Sequence, residues 1–438
     1  MNVTLFRRAI CFVFITALLL ASLPAAAAAA DQPQVSAGAA ALYHPGTDTM
    51  LFEKQADERV PVAFLAKVVT AMIAAEQLAP TDMATVPESY KTGVPALSAM
   101  QYQVGETISV EDLLYAVFVQ SADEAANILA AAVSGDIDAF IKKMNDYAAG
   151  LGATDTLFTN THGVYDGEGY TTARDAVKII TAFSQNETLM EISDATYHRA
   201  AATNMAGERD MYSTNSLIHS QSSYYDGRCV GVKNDYSDQG GYSLATVAKS
   251  GEMEYICVLF GAQTLADDRV GSYVDATAML DWALENFQVT TILQKDDPCA
   301  EIPVELCKKT DKIVLLAAQE FTRLMPVEYP PESLVFTPNI PESLTAPVAM
   351  GDEVGTLTIA FEGETLGEVP IVAGQDAPLD ELLYYTSQIT GFFNSPVIKA
   401  ITVVCLLIVA LYIFYVVYYN RKRKKYKKVK NKQMNRKK

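Results

Sequence analysis

Apolar residues recur at helical spacing through "FLAKVVTAMIAAE" (64–76), predicting a helix over about 63–78 that Pro80 stops. Upstream, residues 38–56 read as two strands around the turn Pro45-Gly46-Thr47-Asp48. Residues 108–133 read as two helices broken near 120–123, and 137–150 and 172–184 as amphipathic helices, the latter opening on Thr171-Thr172. "GRCVGVKNDYSDQGGYSLATVAKSGEMEYICVLFGA" (227–262) predicts three strands with Gly-rich turns, and 269–287 a closing helix. After Phe287 the texture changes to short β-like runs with several prolines, so 290–385 is expected to be a small β-rich domain. A linker helix follows it.

Both ends carry a different pattern. Residues 1–30 have a short basic start (Arg7, Arg8), an apolar run and a small-residue tract, the signature of a secretory signal peptide. Residues 400–419, "AITVVCLLIVALYIFYVVYY", form an uncharged run of 20, about 30 Å as a helix and one hydrocarbon thickness. The tail from 420 to 438 carries 12 Lys/Arg and no acid, and such residues stay on the cytoplasmic side. The expected order is a signal peptide (1–30), a larger domain (35–289), the β-rich domain (290–385), a membrane span (397–419) and a basic cytoplasmic tail (420–438). The plasma membrane is the expected location, with an extracellular ectodomain.

Charge then narrows the function classes. The formal net charge of −18 conceals 22 Lys/Arg against 52 Asp/Glu once the tail is set aside. A surface that acidic argues against nucleic acid as a partner. Of six cysteines, Cys11 and Cys405 lie in the apolar end segments. Cys229, Cys257, Cys299 and Cys307 belong to the ectodomain, where disulfides are permitted. Cys299 and Cys307 enclose a short loop, so pairing and burial as free thiols both stay open. No spacing suggests a metal site, and no cofactor is implied.

Several blocks occur in an ordered series: "LFEKQADERVPVA" (51–63), "ALSAMQYQVGETISVEDLLYAVFVQSADEAAN" (96–127), "FTNTHGV" (158–164), "YTTARDAVKII" (170–180) and "STNSLI" (213–218). In this series the chain resembles the low-molecular-weight penicillin-binding proteins, the serine-type D-alanyl-D-alanine carboxypeptidases, from about residue 38 to 380. The resemblance implies an α+β fold, an antiparallel sheet flanked by helices, followed by a small β-rich domain. It also implies a cleft lined by Ser-x-x-Lys at a helix start, Ser-x-Asn between helices, and Lys-Thr-Gly on a strand. Residues i and i+3 share a helix face, so the first lysine can take the serine's proton.

Each motif is altered here. Ser-x-x-Lys is Phe64-Leu65-Ala66-Lys67, which keeps the lysine and loses the nucleophile. Ser-x-Asn is Ser121-Ala122-Asp123, and Lys-Thr-Gly is Lys233-Asn234-Asp235. The resemblance assigns Lys67, Ser121 and Lys233 as catalytic remnants and Asp123, Asn234 and Asp235 to the substrate side. A phenylalanine cannot form an acyl bond, and its ring is expected in the space a substrate carbonyl needs. Asp123 and Asp235 are expected to pair with the stranded lysines Lys67 and Lys233. A like-charge contact with a substrate carboxylate at ~4 Å would cost about 4 kcal/mol at an effective dielectric of 20. Ser121 also reads as a helix cap, His162 as structural, and Cys229 shares strand parity with Lys233 and so is expected to face the cleft. The expected function is a membrane-anchored homologue at the peptidoglycan wall, without hydrolytic activity, that binds or regulates there. The alternative is an active peptidase trimming stem peptides with Ser121 as substitute nucleophile. Peptidoglycan or cell-wall proteins are the expected partners.

Overall fold

The computed structural model describes residues 32–94, 98, 100–251 and 253–434, so the expected signal peptide lies outside the described residues. The chain divides into two compact units, one reaching to Thr290 and including Arg323–Tyr329, the other formed by Thr291–Thr322 and Pro330–Lys438.

The first unit is built on a five-stranded antiparallel sheet, ordered β2-β1-β9-β8-β7. Its strands are β1 (Ala39–His44), β2 (Thr49–Lys54), β7 (Cys229–Ser237), β8 (Gly241–Ser250) and β9 (Met253–Ala262). Small ribbons are made by β3 (Met83–Thr85) with β4 (Thr107–Ser109) and by β5 (Tyr197–Ala200) with β6 (Arg209–Tyr212). Strand periodicity sorts the side chains into two cores. Ile256, Val258 and Phe260 of β9 face one side, and Tyr255, Cys257 and Leu259 the other.

On the first side lie six helices: α1 (Leu65–Gln77), α2 (Val110–Phe118), α3 (Asp123–Ser134), α4 (Ile137–Gly150), α5 (Ala173–Ser184) and α6 (Glu187–Asp194). On the other lies α7 (Gly271–Asn286), which contributes Tyr273, Met279, Leu280 and Trp282. Helix α1 is buried from Leu65 to Ala74, which explains its nearly continuous apolar sequence. Ser109, Asp136, Thr172 and Asn186 cap α2, α4, α5 and α6 by accepting backbone N–H bonds.

The second unit holds a six-stranded sheet, β14-β16-β17-β12-β11-β15. These are β11 (Pro298–Glu305), β12 (Lys312–Ala317), β14 (Leu334–Asn339), β15 (Leu344–Thr345), β16 (Glu353–Phe361) and β17 (Glu364–Ala373). Ile302, Ile313, Leu315, Leu357, Ile359, Val369 and Ile371 form its core. A further ribbon joins β10 (Phe287–Leu293) to β13 (Phe321–Pro326). The chain ends in α8 (Glu381–Asn394) and α9 (Pro396–Met434). Within α9, Pro396–Lys425 is long and apolar enough to cross a membrane.

Of the cysteine readings, one open alternative is resolved and one expectation needs correction. Cys299, near the start of β11, and Cys307, two residues past its end, are free thiols. At ~3.3 Å per residue the strand separates them by about 20 Å, whereas a disulfide requires Cα atoms within about 7 Å. Cys229 is also free, and it faces away from Lys233 for the reason given next.

Candidate functional site

Phe64, Lys67 and Thr70 recur at three-residue spacing at the start of α1, so their side chains emerge close together on the helix surface. Lys67 Nζ donates to the His162 carbonyl at 2.7 Å, and one turn on Thr70 Oγ1 donates to the Thr161 carbonyl at 2.8 Å. The helix thereby grips two consecutive carbonyls of one loop. Gly163 makes that approach possible: its φ is +86°, and a Cβ there would sit 1.8 Å from the Ala63 carbonyl oxygen. Behind the loop, Thr161 Oγ1 donates to Asn127 Oδ1 at 2.6 Å, and Asn127 Nδ2 donates to the carbonyls of Tyr90 and Thr92. His162 is buried, and burial holds its imidazole below the ordinary histidine range, in keeping with a structural role.

Phe64 is fully buried and stacks on Phe260 of β9, centroids 5.4 Å apart and planes 7° from parallel. The ring is a core side chain at the helix start rather than one lining open space. A sequence shows which residue stands there but not that Phe260 is waiting across the sheet.

Lys67 meets Asp123 Oδ1 at 2.6 Å, with the lysine side chain 3% and the aspartate 20% exposed. Asp123 opens α3, where the helix N-terminus favours a carboxylate. Burial pushes the Lys67 ammonium down, but Asp123, and Asp235 after it, outweigh burial and hold it above the ordinary lysine value. Lys67 is a committed cation. Beside it, Glu124 is fully buried; one carboxylate oxygen accepts from the Ser98 N–H and hydroxyl, and the other has no partner among the described residues.

Ser121 is not a cap. The N-cap of α3 is Ala122, which offers no side-chain bond, and Ser121 sits one residue earlier at φ 55°. Its half-buried hydroxyl makes no hydrogen bond among the described residues.

Strand β7 brings in the third group through a bulge. Cys229 pairs with Ala248, but Lys233 pairs with Ala245, so four steps along β7 match three along β8. Cross-strand partners point the same way, and Ala248 and Ala245 belong to opposite cores. The bulge therefore sends Cys229 to the α7 side while Lys233 and Asp235 face α1 and α3. Strand parity alone puts Cys229 and Lys233 on one face; the extra residue overturns that.

The expected second ion pair is absent. Lys233 Nζ has one long contact, 3.5 Å to Thr214 Oγ1, and Asp235 makes no ion pair or hydrogen bond among the described residues. Burial, reinforced by the Lys67 charge, lowers the Lys233 amine to about 7 against partial opposition from Asp235 and Asp123. Asn234 is turned inward to the chain: Thr214 Oγ1 donates to its Oδ1 at 3.0 Å, and its Nδ2 donates to the Thr214 carbonyl at 3.1 Å. The Thr214 N–H in turn donates to the Val119 carbonyl, two residues before Ser121. Thr214 is thus the hub joining the second and third motifs. The sequence offers only its place in the "STNSLI" block as a signal.

A family model described as D-alanyl-D-alanine carboxypeptidase matches residues 26–264. A second, described as penicillin-binding protein 5, C-terminal domain, matches residues 287–378. The chain is 27% identical over 380 residues to the D-alanyl-D-alanine carboxypeptidase DacF of Bacillus subtilis, covering 84% of this chain and 94% of that one. It is 29% identical over 356 residues to the D-alanyl-D-alanine carboxypeptidase DacC of Escherichia coli, covering 78% and 84%. Among solved structures, penicillin binding protein 5 from Haemophilus influenzae superposes with a TM-score of 0.62 at 24% identity, covering 80% of this chain and all of that one. The peptidoglycan synthesis regulatory factor PBP3 from Streptococcus pneumoniae gives 0.58 at 20% identity, covering 79% and 100%. These two likenesses concern the fold.

Proposed function

The chain belongs to the D-alanyl-D-alanine carboxypeptidase family, and from that premise we propose that it is a hydrolytically silent member acting at the peptidoglycan wall by binding or regulation. Phe64 stands where the family motif has its serine, and the observation that carries the reading is the 2.6 Å pair between Lys67 and Asp123. A lysine that serves as base to a serine must give up its charge; this one has no serine beside it and is held cationic by a carboxylate and a carbonyl. Residues 397–419 cross the membrane, the two folded units stand outside, and the basic tail from 420 lies in the cytoplasm.

One observation favours a second reading, an active peptidase. The Ser121 hydroxyl is unbonded among the described residues, and the Lys233 amine, lowered to about 7, is suited to a base near neutral pH. Chromatographic assay of D-alanine release from an N-acylated D-Ala-D-Ala peptide separates the two. The silent reading predicts no release above a protein-free control. Release that disappears in Ser121→Ala establishes the second reading instead.

A further inference from the structure

The cleft has traded its preference for anions against one for cations: we propose that it receives a cationic amine carried by a peptide, with Asp235 as the receiving carboxylate. This rests on the reading that the cleft binds without cutting. Four elements face the site: Lys67 of α1, Asp123 and Glu124 of α3, the buried His162 loop, and Lys233 and Asp235 of β7. Within this set the Lys67 charge is already cancelled by Asp123 at 2.6 Å. Glu124 also acts electrostatically on Lys67, whereas Asp235 has no ion pair among the described residues. Asp235 shares the Lys233 face and acts electrostatically on both lysines, yet no described residue hydrogen-bonds or pairs with it. It is half-buried, so a ligand can reach it.

Two further observations point to an occupant. Lys233 is 1% exposed, and among the described residues its Nζ hydrogen-bonds only the Thr214 hydroxyl, at 3.5 Å, although an ammonium has three protons to place. Glu124 is fully buried with one carboxylate oxygen unpartnered among the described residues. A terminal carboxylate entering here meets the unpaired Asp235, and the neighbouring Lys233 amine is lowered toward neutrality by burial. An ammonium finds Asp235 unclaimed, while the Lys233 amine remains able to hydrogen-bond a peptide carbonyl. The ligand class is therefore a peptide with a free amino group on a side chain or extension, in place of the free carboxyl end.

The test uses the full chain in detergent micelles and three dansylated N-acyl-D-Ala-D-Ala probes. One ends in the free carboxylate, one in a carboxamide and one in a 2-aminoethyl amide, and binding is read by anisotropy. The aminoethyl probe is expected to bind about tenfold or more tighter than the carboxylate at pH 7.5, the effect of one charge contact worth a decade. Asp235→Asn should reduce that preference to within about threefold, and Asp235→Glu should retain it. Deprotonation of Lys233 should tighten the aminoethyl probe between pH 6 and 8. The proposal is overturned if the carboxylate binds as well as the amine, if Asp235→Asn leaves the preference intact, or if no probe binds at millimolar concentration. Mass spectrometry of the same samples reports cleavage of the carboxylate probe. Cleavage defeats the silent reading, while the uncleavable amide and aminoethyl probes still report the charge order.

Discussion

Asp123→Asn removes the carboxylate that neutralises a lysine whose side chain is only 3% exposed. Breaking a buried pair from one side typically costs 3–5 kcal/mol. Here Asp123 is itself 20% exposed, the His162 carbonyl still accepts from Nζ at 2.7 Å, and Asp235 still acts on Lys67. These place the expected loss at about 2–3 kcal/mol. For a unit of this size each kcal/mol moves the melting temperature by about 2–4 °C, so a fall of roughly 5–10 °C is expected in circular-dichroism melts at pH 7.5. The sign in pH follows from the direction of the Lys67 shift. Its folded pKa lies above the ordinary value, so the contribution is present below the unfolded pKa and is lost only as pH rises through the raised one. The wild-type advantage should therefore be flat from pH 6 to 9. Lys67→Met with Asp123→Asn, which leaves no stranded charge, should recover most of the loss. A shift below 1 °C in the single variant, or a double variant worse than the single, refutes the reasoning.

Phe64→Ala opens a cavity beside Phe260 and should lower stability by about 3–5 kcal/mol, read by urea denaturation of the detergent-solubilised protein. Gly163→Ala sets a methyl against the Ala63 carbonyl at a backbone angle that favours glycine. A loss of more than about 2 kcal/mol in the same denaturation is expected. Lys233→Met should raise the melting temperature at pH 7. Its folded value of about 7 lies below the ordinary lysine value of 10.5, so the unfolded chain binds more protons between the two, and the variant's gain should shrink as pH rises across that window. Truncation after Asn394 should move the protein from the membrane fraction to the soluble fraction on ultracentrifugation.

Much of this was legible in the residues because it rests on periodicity. The buried stretch of α1, the break at residues 120–123, the strands β8 and β9 and the helix opened by Thr172 follow from apolar spacing, Gly-rich turns and the cap. The Asp123 pairing was also legible, since a cation one turn into a helix that has lost its serine calls for a carboxylate nearby. Other features depend on tertiary contacts that periodicity does not encode. The bulge between Val230 and Lys233 adds one residue and reverses which face Cys229 takes. Asp235 has the right face yet makes no pair with Lys233, which turns instead to Thr214. Asn234 is drawn onto the same threonine. None of these outcomes is visible in a three-residue motif, because the bulge belongs to the pairing with β8 and the other two depend on Thr214, about twenty residues upstream.

The central claim is that this cleft performs no acyl transfer, and covalent labelling with a fluorescent penicillin tests it most directly. Gel fluorescence of the full chain should show no labelled band for the wild type. It should also show none for Phe64→Ser once circular dichroism has established that the variant is folded, because Lys67 remains paired with Asp123 and cannot act as base. A stoichiometric band in the wild type, or one restored by Phe64→Ser alone, would contradict the account.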